Sequence, residues 1–258
     1  MIITLISSGL MGLVFGSFIS MLSWRLPQIM ELNLTEQLNE ISLGGSKCPN
    51  CQTKLPWYRL IPVISWLATY GHCHQCKQPI SIRYPIIELS SAISVMLVIS
   101  YFGFNLHGAL AALLVLWLLI ISVIDIEHQL ILDNLSLPLL WLGLLVNTFD
   151  TFTSPQHAIL GAIAGYGLLW LVFHLYRLIT GKHGMGYGDF KLLAALGAWL
   201  GISALPSIIM IAACTSLIIG LTLILIKKHH WQSQIAFGPF LALGGIISLV
   251  LQQGTFYL

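Results

Sequence analysis

The chain has 258 residues, 57% of them hydrophobic and only 8% charged, with a formal net charge of +2 and a mean hydropathy of +0.89. An ordinary soluble domain carries roughly 25% charged residues, so eleven basic and nine acidic side chains cannot coat a globule of this size, which excludes soluble, disordered and small disulfide-scaffold classes. The composition is that of an all-α polytopic membrane protein whose expected partner is the lipid bilayer, with no nucleic acid. What matters is where the charges sit, because an ionised side chain facing lipid is expensive.

Apolar runs of about 17–25 residues mark membrane helices. They lie near 2–23, 86–103, 107–125, 157–176 and 206–226, with shorter ones near 135–149, 190–204 and 235–252, which predicts about eight membrane helices. The first run has no basic residues ahead of it and no convincing small-residue cleavage site, so it is expected to be a retained span rather than a signal peptide. Arg25, Lys47, Lys54, Arg59, Lys77 and Arg83 follow the first span, Arg177, Lys182 and Lys191 flank the gap between spans five and six, and Lys227 and Lys228 follow span seven. Alternating spans put all of these on one side, which the positive-inside rule makes cytoplasmic, with both termini on the other face. The expected organisation is a first membrane helix over 1–24, a cytoplasmic insertion over 25–84 and a seven-helix membrane domain over 85–258.

The insertion holds six of the eleven basic residues and four of the five cysteines. Its stretch 31–41 is acid-rich, with Glu31, Glu36 and Glu40; a short helix there either attracts a basic peptide or is a solvated face. Cys48-Pro49-Asn50-Cys51 and Cys73-His74-Gln75-Cys76 form two C-x-x-C knuckles separated by 21 residues. Each knuckle can present two thiolates to one tetrahedral ion, so structural zinc on Cys48, Cys51, Cys73 and Cys76 is expected. Paired disulfides and inert cysteines are the alternatives, and a reducing cytoplasm weakens the first. His72 and His74 are possible substitute ligands or plain loop histidines; Cys214, in span seven, reads as a packing residue. Between the knuckles, Pro56-Trp57-Tyr58 and Pro62 to Leu67 are apolar for such a loop. They either lie on the bilayer surface or build a minimal internal core.

Past the insertion, Glu88 stands one turn into span two and is expected to pair with Arg83 or a helix end. Asp125 closes span three, and Asp189 follows Gly184-Met185-Gly186-Tyr187-Gly188 at the start of span six. Both aspartates fall at cytoplasmic helix ends, where a folded bundle can bring them together. Two carboxyls sharing one proton activate water, one as base while the other polarises a peptide carbonyl. Glycines 184, 186 and 188 clear the approach to Asp189 for an extended peptide. Glu127 reads as a supporting acid or a solvated one; Asp133, His128, His183 and Lys191 lie near the pair in sequence.

Together these motifs resemble the type IV prepilin peptidase family, and the resemblance runs over nearly the whole chain. It is carried by Gly16-Ser17-Phe18-Ile19-Ser20 with Trp24-Arg25-Leu26-Pro27, by the paired knuckles, by Arg83-Tyr84-Pro85-Ile86-Ile87-Glu88-Leu89, by the segment Asp125 to Asp133, and by Gly186-Tyr187-Gly188-Asp189 with Phe190-Lys191-Leu192-Leu193. The chain departs from the family's common pattern in having Ser20, Glu127 and Leu132 where Asn, Asp and Pro often stand. The resemblance implies Asp125 and Asp189 as the catalytic pair of a membrane aspartic peptidase in 85–258. It also implies a bacterial inner-membrane location with the site facing the cytoplasm, and prepilins or type II secretion pseudopilins as substrates. By the same resemblance, the leader is expected to be cut off after a Gly and the new amino terminus to be methylated with S-adenosylmethionine. No glycine-rich methyl-donor fingerprint is visible. A transporter or channel with the aspartates as ion ligands is the competing class, against which stand their shared face and the lack of a visible inverted repeat. A zinc-bearing scaffold without catalysis is a third.

Overall fold

Each of the eight apolar runs forms a helix in the computed structural model, which describes residues 2–30, 33–42, 45–48, 50–181, 185–226 and 235–256. Glu31, Pro49, Lys182, His183, Gly184, Lys227 and Lys228 lie outside the described residues. Among the described residues there is no strand, only two isolated bridges, Lys47 with Lys54 and His72 with Pro79. The helices are α1 (Ile2–Ile29), α2 (Leu34–Ser42), α3 (Ile64–Ala68), α4 (Arg83–Phe102), α5 (Leu106–His128), α6 (Asp133–Asn147), α7 (Pro155–Thr180), α8 (Tyr187–Leu200), α9 (Leu205–Leu225) and α10 (Gly238–Phe256). Five of them, α1, α4, α5, α7 and α9, are long and apolar enough to cross a membrane. With α6, α8 and α10 they account for the eight expected runs. The chain divides into two compact units, Met1–Ile120 and Ile121–Leu258.

In the first unit α1 packs along α4. Gly12 and Gly16 make this close approach possible: a Cβ on Gly12 would sit 2.6 Å from Ala92 Cα, and one on Gly16 2.7 Å from Glu88 Cα. Small residues one turn apart let two helix backbones meet inside a membrane, where apolar side chains gain little by leaving lipid. Ser91 Oγ then donates to Gly12 O at 2.7 Å, and Arg83 donates to Ser23 Oγ at 2.7 Å while its guanidinium lies over the Trp24 ring.

The insertion is held by turns rather than by a large core. Its α2 begins with Asn33 N donating to Glu36 Oε2, a reach back over the first turn that satisfies an orphan amide, so Glu36 has a local structural task. The two knuckles repeat one geometry. Cys48 N donates to Thr53 O and Gln52 N to Cys48 O; in the same register Cys73 N donates to Gln78 O and Lys77 N to Cys73 O. Gln52 and Lys77, the fifth residue of each knuckle, both have φ near +57°, at 56° and 57°. Of the two readings of the apolar stretch, Trp66 takes the internal one, its indole donating to Ile80 O at 3.2 Å. Tyr58, Ile64, Leu67 and Tyr70 stay exposed.

In the second unit α8 is packed by α6, α7 and α10 and is buried almost throughout from Asp189 to Leu200. Glycine again sets the distance, since Gly161 of α7 and Gly197 of α8 face each other's carbonyls with no room for a Cβ. The far end of α8 is closed by Asn147, a buried residue whose amide donates to Ala198 O and Trp199 O at 2.7 and 2.8 Å. Its Oδ1 accepts from Phe152 N and Thr153 N. One side chain therefore satisfies helix-end carbonyls that have no intrahelical donor and fixes the α6–α7 loop beneath them.

Candidate functional site

Asp125 lies in the last turn of α5 and Asp189 in the first turn of α8. Both belong to the second unit and both are buried, at 5% and 8% exposure. The carboxyl of Asp189 lies near enough to that of Asp125 to feel its charge, although 64 positions separate them in sequence. The structure thus brings together the two acids that the sequence singled out. α5 continues through His128 instead of ending at Asp125, which leaves Glu127 and His128 exposed on its final turn.

Three backbone segments shape the space around the pair. Gly238, first residue of α10, donates its N–H to Asp125 Oδ2 at 2.9 Å. A Cβ at Gly238 would come within 2.7 Å of that oxygen and 3.1 Å of Ile131 Cδ1. Gly188 meets the same neighbour from α8, where a Cβ would lie 2.6 Å from Ile131 Cβ. Ile131, in the short turn between α5 and α6, therefore sits against both glycines, and both must lack a side chain for the three segments to close around the acids. Gly186 differs: its φ of −81° is open to any residue, and a Cβ there would meet Asp189 Oδ2 only at 3.8 Å. It leaves room beside that carboxylate. Asp189 N donates to Gly186 O at 3.3 Å, and edge-to-face contacts of Tyr187 and Phe190, with Phe173 against both, fix the start of α8. Lys191 pairs with Asp133 at 2.6 Å, outside the acid pair.

Sequence reasoning missed Gly238 and Ile131. The available signal for the first was Gly238-Pro239 at the start of an apolar run, the dipeptide expected where a helix begins with proline in its first turn.

In the first unit the four knuckle cysteines converge. Their Sγ atoms all lie within 4.8 Å of one another, with Cys48 to Cys76 at 3.8 Å and Cys51 to Cys73 at 4.0 Å. A tetrahedral zinc with Zn–S bonds of about 2.3 Å sets its sulfurs about 3.8 Å apart, whereas a disulfide requires about 2.05 Å. All four cysteines are free thiols, so the donor set fits one tetrahedral zinc ion and not a pair of disulfides. Contact with the Thr53 side chain draws the Cys51 thiol down to about 6. A backbone contact with Gln78 pulls Cys76 the same way, but burial and the neighbouring thiols outweigh it and push that group up to about 11. A dication among them favours the ionised form of all four. Cys214, which belongs to the second unit, is exposed. Glu88, expected to pair with Arg83 or a helix end, instead accepts a hydrogen bond from the backbone N–H of Val63 at 2.7 Å.

Comparison with known proteins follows this division. Residues 10–102 match the bacterial peptidase A24 N-terminal domain, and residues 112–221, which include Asp125 and Asp189, match the type IV leader peptidase family. Among curated proteins the chain is similar to the prepilin leader peptidase/N-methyltransferases of Stutzerimonas stutzeri, Pseudomonas aeruginosa and Aeromonas hydrophila. The identities are 41%, 42% and 40%, each over 93% of this chain and 88% of the relative. No solved structure matches. A buried aspartate pair within the matched peptidase region, a thiol cluster in the region before it and this identity over nearly full length have one meaning: the chain belongs to the type IV leader peptidase family.

Proposed function

We propose that this chain cleaves the leader peptide from type IV prepilins or type II secretion pseudopilins and then methylates the new amino terminus. The observation that carries the reading is the burial of Asp125 and Asp189 within interaction distance in the unit that matches the leader peptidases. Two buried carboxyls close enough for one to feel the other's charge do not both ionise freely, so on this reading they share a proton. The ionised member takes a proton from water as the water oxygen bonds to the scissile carbonyl carbon. The protonated member donates to the carbonyl oxygen. Collapse of the tetrahedral intermediate breaks the C–N bond, and the proton passes to the leaving amine. The Gly238 amide, bonded to Asp125 Oδ2, holds that carboxylate in place without competing for the proton.

The alternation of spans puts the end of α5, the start of α8 and the basic residues on one side of the bilayer, and the positive-inside rule makes that side cytoplasmic. The site then faces the cytoplasm of a bacterial inner membrane. A substrate anchored by its own apolar helix meets the acids just outside the hydrocarbon and needs little unwinding.

The relatives' name couples peptidase to N-methyltransferase, and methyl transfer requires a donor, for which S-adenosylmethionine is our reading. The peptidase pair occupies the second unit, so we place the methyl-transfer function in the first, with the cysteine module. Zinc on Cys48, Cys51, Cys73 and Cys76 would fill all four positions of its tetrahedron with thiolates, leaving none for a substrate, and would act by folding a module too small to build its own core.

The test is detergent-solubilised protein incubated with a prepilin, with and without the methyl donor, and mass spectrometry of the product. Removal of the leader by the wild type, with a further 14 Da (about one methyl group) only when donor is present, supports the reading. Intact prepilin after incubation with folded protein refutes it.

A further inference from the structure

Glu88 is a buried carboxylate in a membrane helix that the hydrolytic chemistry does not use. It is 7% exposed, and acids in such positions mark function more often than packing. Its partner is unusual. Val63 has φ 60° and ψ −49°, a left-handed conformation that a β-branched residue rarely adopts. Ile64 N donates to Pro62 O across it, which makes Val63 the centre of a γ-turn of the strained, positive-φ kind. Such a turn persists only where surrounding contacts over-determine it, and here the contact is the 2.7 Å bond from Val63 N–H to Glu88 Oε2. The residue is itself held from the α1 side, where Gly16 lets that helix close against the Glu88 backbone.

From this turn a continuous set of contacts leads to the second knuckle. Val63 is the residue from which α3 starts, and α3 carries Trp66, whose indole donates to Ile80 O. Gly71 N donates to Trp66 O and Ile80 N to Gly71 O. Cys73, two residues past Gly71, then closes its knuckle with Gln78. All of these residues belong to the first unit.

We propose that Glu88 is a positioning residue for methyl transfer: by clamping the γ-turn at Val63 it fixes the cysteine-bearing insertion on the α1–α4 pair. The proposal rests on the methyltransferase reading above. Leader cleavage, carried by the aspartates of the second unit, does not depend on the clamp.

The test uses the full chain as wild type, Glu88→Gln, Glu88→Ala, Val63→Gly and the double variant Glu88→Ala/Val63→Gly. Measured are leader cleavage, kcat and KM for methyl transfer onto an already cleaved pilin, zinc per chain, and amide hydrogen exchange over 61–70. Losing the clamp is expected to speed exchange in that segment by about tenfold or more and to lower methyl-transfer kcat by about ten- to a hundredfold. Cleavage should stay within about twofold, with zinc retained. Glutamine keeps an acceptor for the Val63 amide and should restore most of the rate. Glycine at 63 adopts positive φ without strain, so Val63→Gly should suppress the Glu88→Ala defect. That rescue is not expected of a residue that serves packing alone. If Glu88→Ala does not accumulate, Glu88→Asp, charged but one methylene short of the amide, gives the same contrast. The proposal is overturned by unchanged exchange and methyl transfer, by failure of Val63→Gly to rescue, or by equal losses of both activities. A wild type that cleaves but never methylates refutes the methyltransferase reading instead, while the exchange comparison still decides the clamp.

Discussion

The backbone amide of Gly238 and the carboxylate of Asp125 are bonded at 2.9 Å across 113 positions of sequence, so the first residue of α10 helps to place an acid on α5. Gly238→Ala puts a methyl carbon 2.7 Å from Oδ2 and 3.1 Å from Ile131 Cδ1, too close to the carboxylate for both to stay where they are. The acid must move. A displacement of about 1 Å at a reacting group can lower a rate by about a hundredfold, and we expect a loss of that order in kcat for leader cleavage, with the protein still inserted and its zinc content unchanged.

Asp125→Asn and Asp189→Asn should each reduce cleavage by at least about a thousandfold, and the double variant should be hardly worse than either, because groups that act as one unit do not contribute additively. Methylation of a pilin cleaved beforehand should survive in all three. In the wild type, cleavage should follow a bell-shaped pH profile whose two apparent pKa values belong to the pair rather than to either residue. A single-sided profile would argue against a shared proton.

Metal analysis of the purified chain should find about one zinc per molecule. Cys73→Ser, or prolonged chelation, should remove it, expose the insertion to protease and abolish methyl transfer while cleavage persists. Lower pH should promote release of the ion, since its thiolate ligands compete with protons.

Asn147→Ala leaves two helix-end carbonyls and two loop amides without their partner in a buried site. We expect a destabilisation of about 2–4 kcal/mol, read as a shift in denaturation midpoint in detergent. Lys191→Gln breaks a shorter bond, to Asp133 at 2.6 Å, but side-chain exposures of 26% and 55% leave that pair in water, where ion pairs contribute about 0–1 kcal/mol.

Apolar run length made a helix legible at each of the eight runs, five of them long and apolar enough among the described residues to cross a membrane, and charge placement and thiol spacing made the acids and the cysteine cluster legible. Boundaries were less so: α1 continues through Pro27 to Ile29 and α5 through Asp125 to His128, because a helix end at the polar edge of a bilayer has no composition break to mark it. Gly238, Asn147 and the bond from Val63 to Glu88 were not legible. Each depends on a contact made over 25 or more positions, and nothing in the local pattern distinguishes Asn147 from an ordinary helix-terminal asparagine. Glu88 was conspicuous as an acid in an apolar run, but its partner is a backbone amide, which no residue type announces.

The sheathing of α8 has a consequence for how the protein meets its surroundings. From Asp189 to Leu200 this helix touches protein on nearly all sides, and at fourteen residues it is about 21 Å long, shorter than the roughly 30 Å of hydrocarbon it would otherwise have to cross. Most of its side chains are buried in protein rather than open to surrounding lipid, so a change in bilayer thickness is expected to act on Asp189 only through the neighbouring helices. The expected consequence is a position of the cut along the substrate that stays constant when acyl-chain length is varied in reconstituted bilayers.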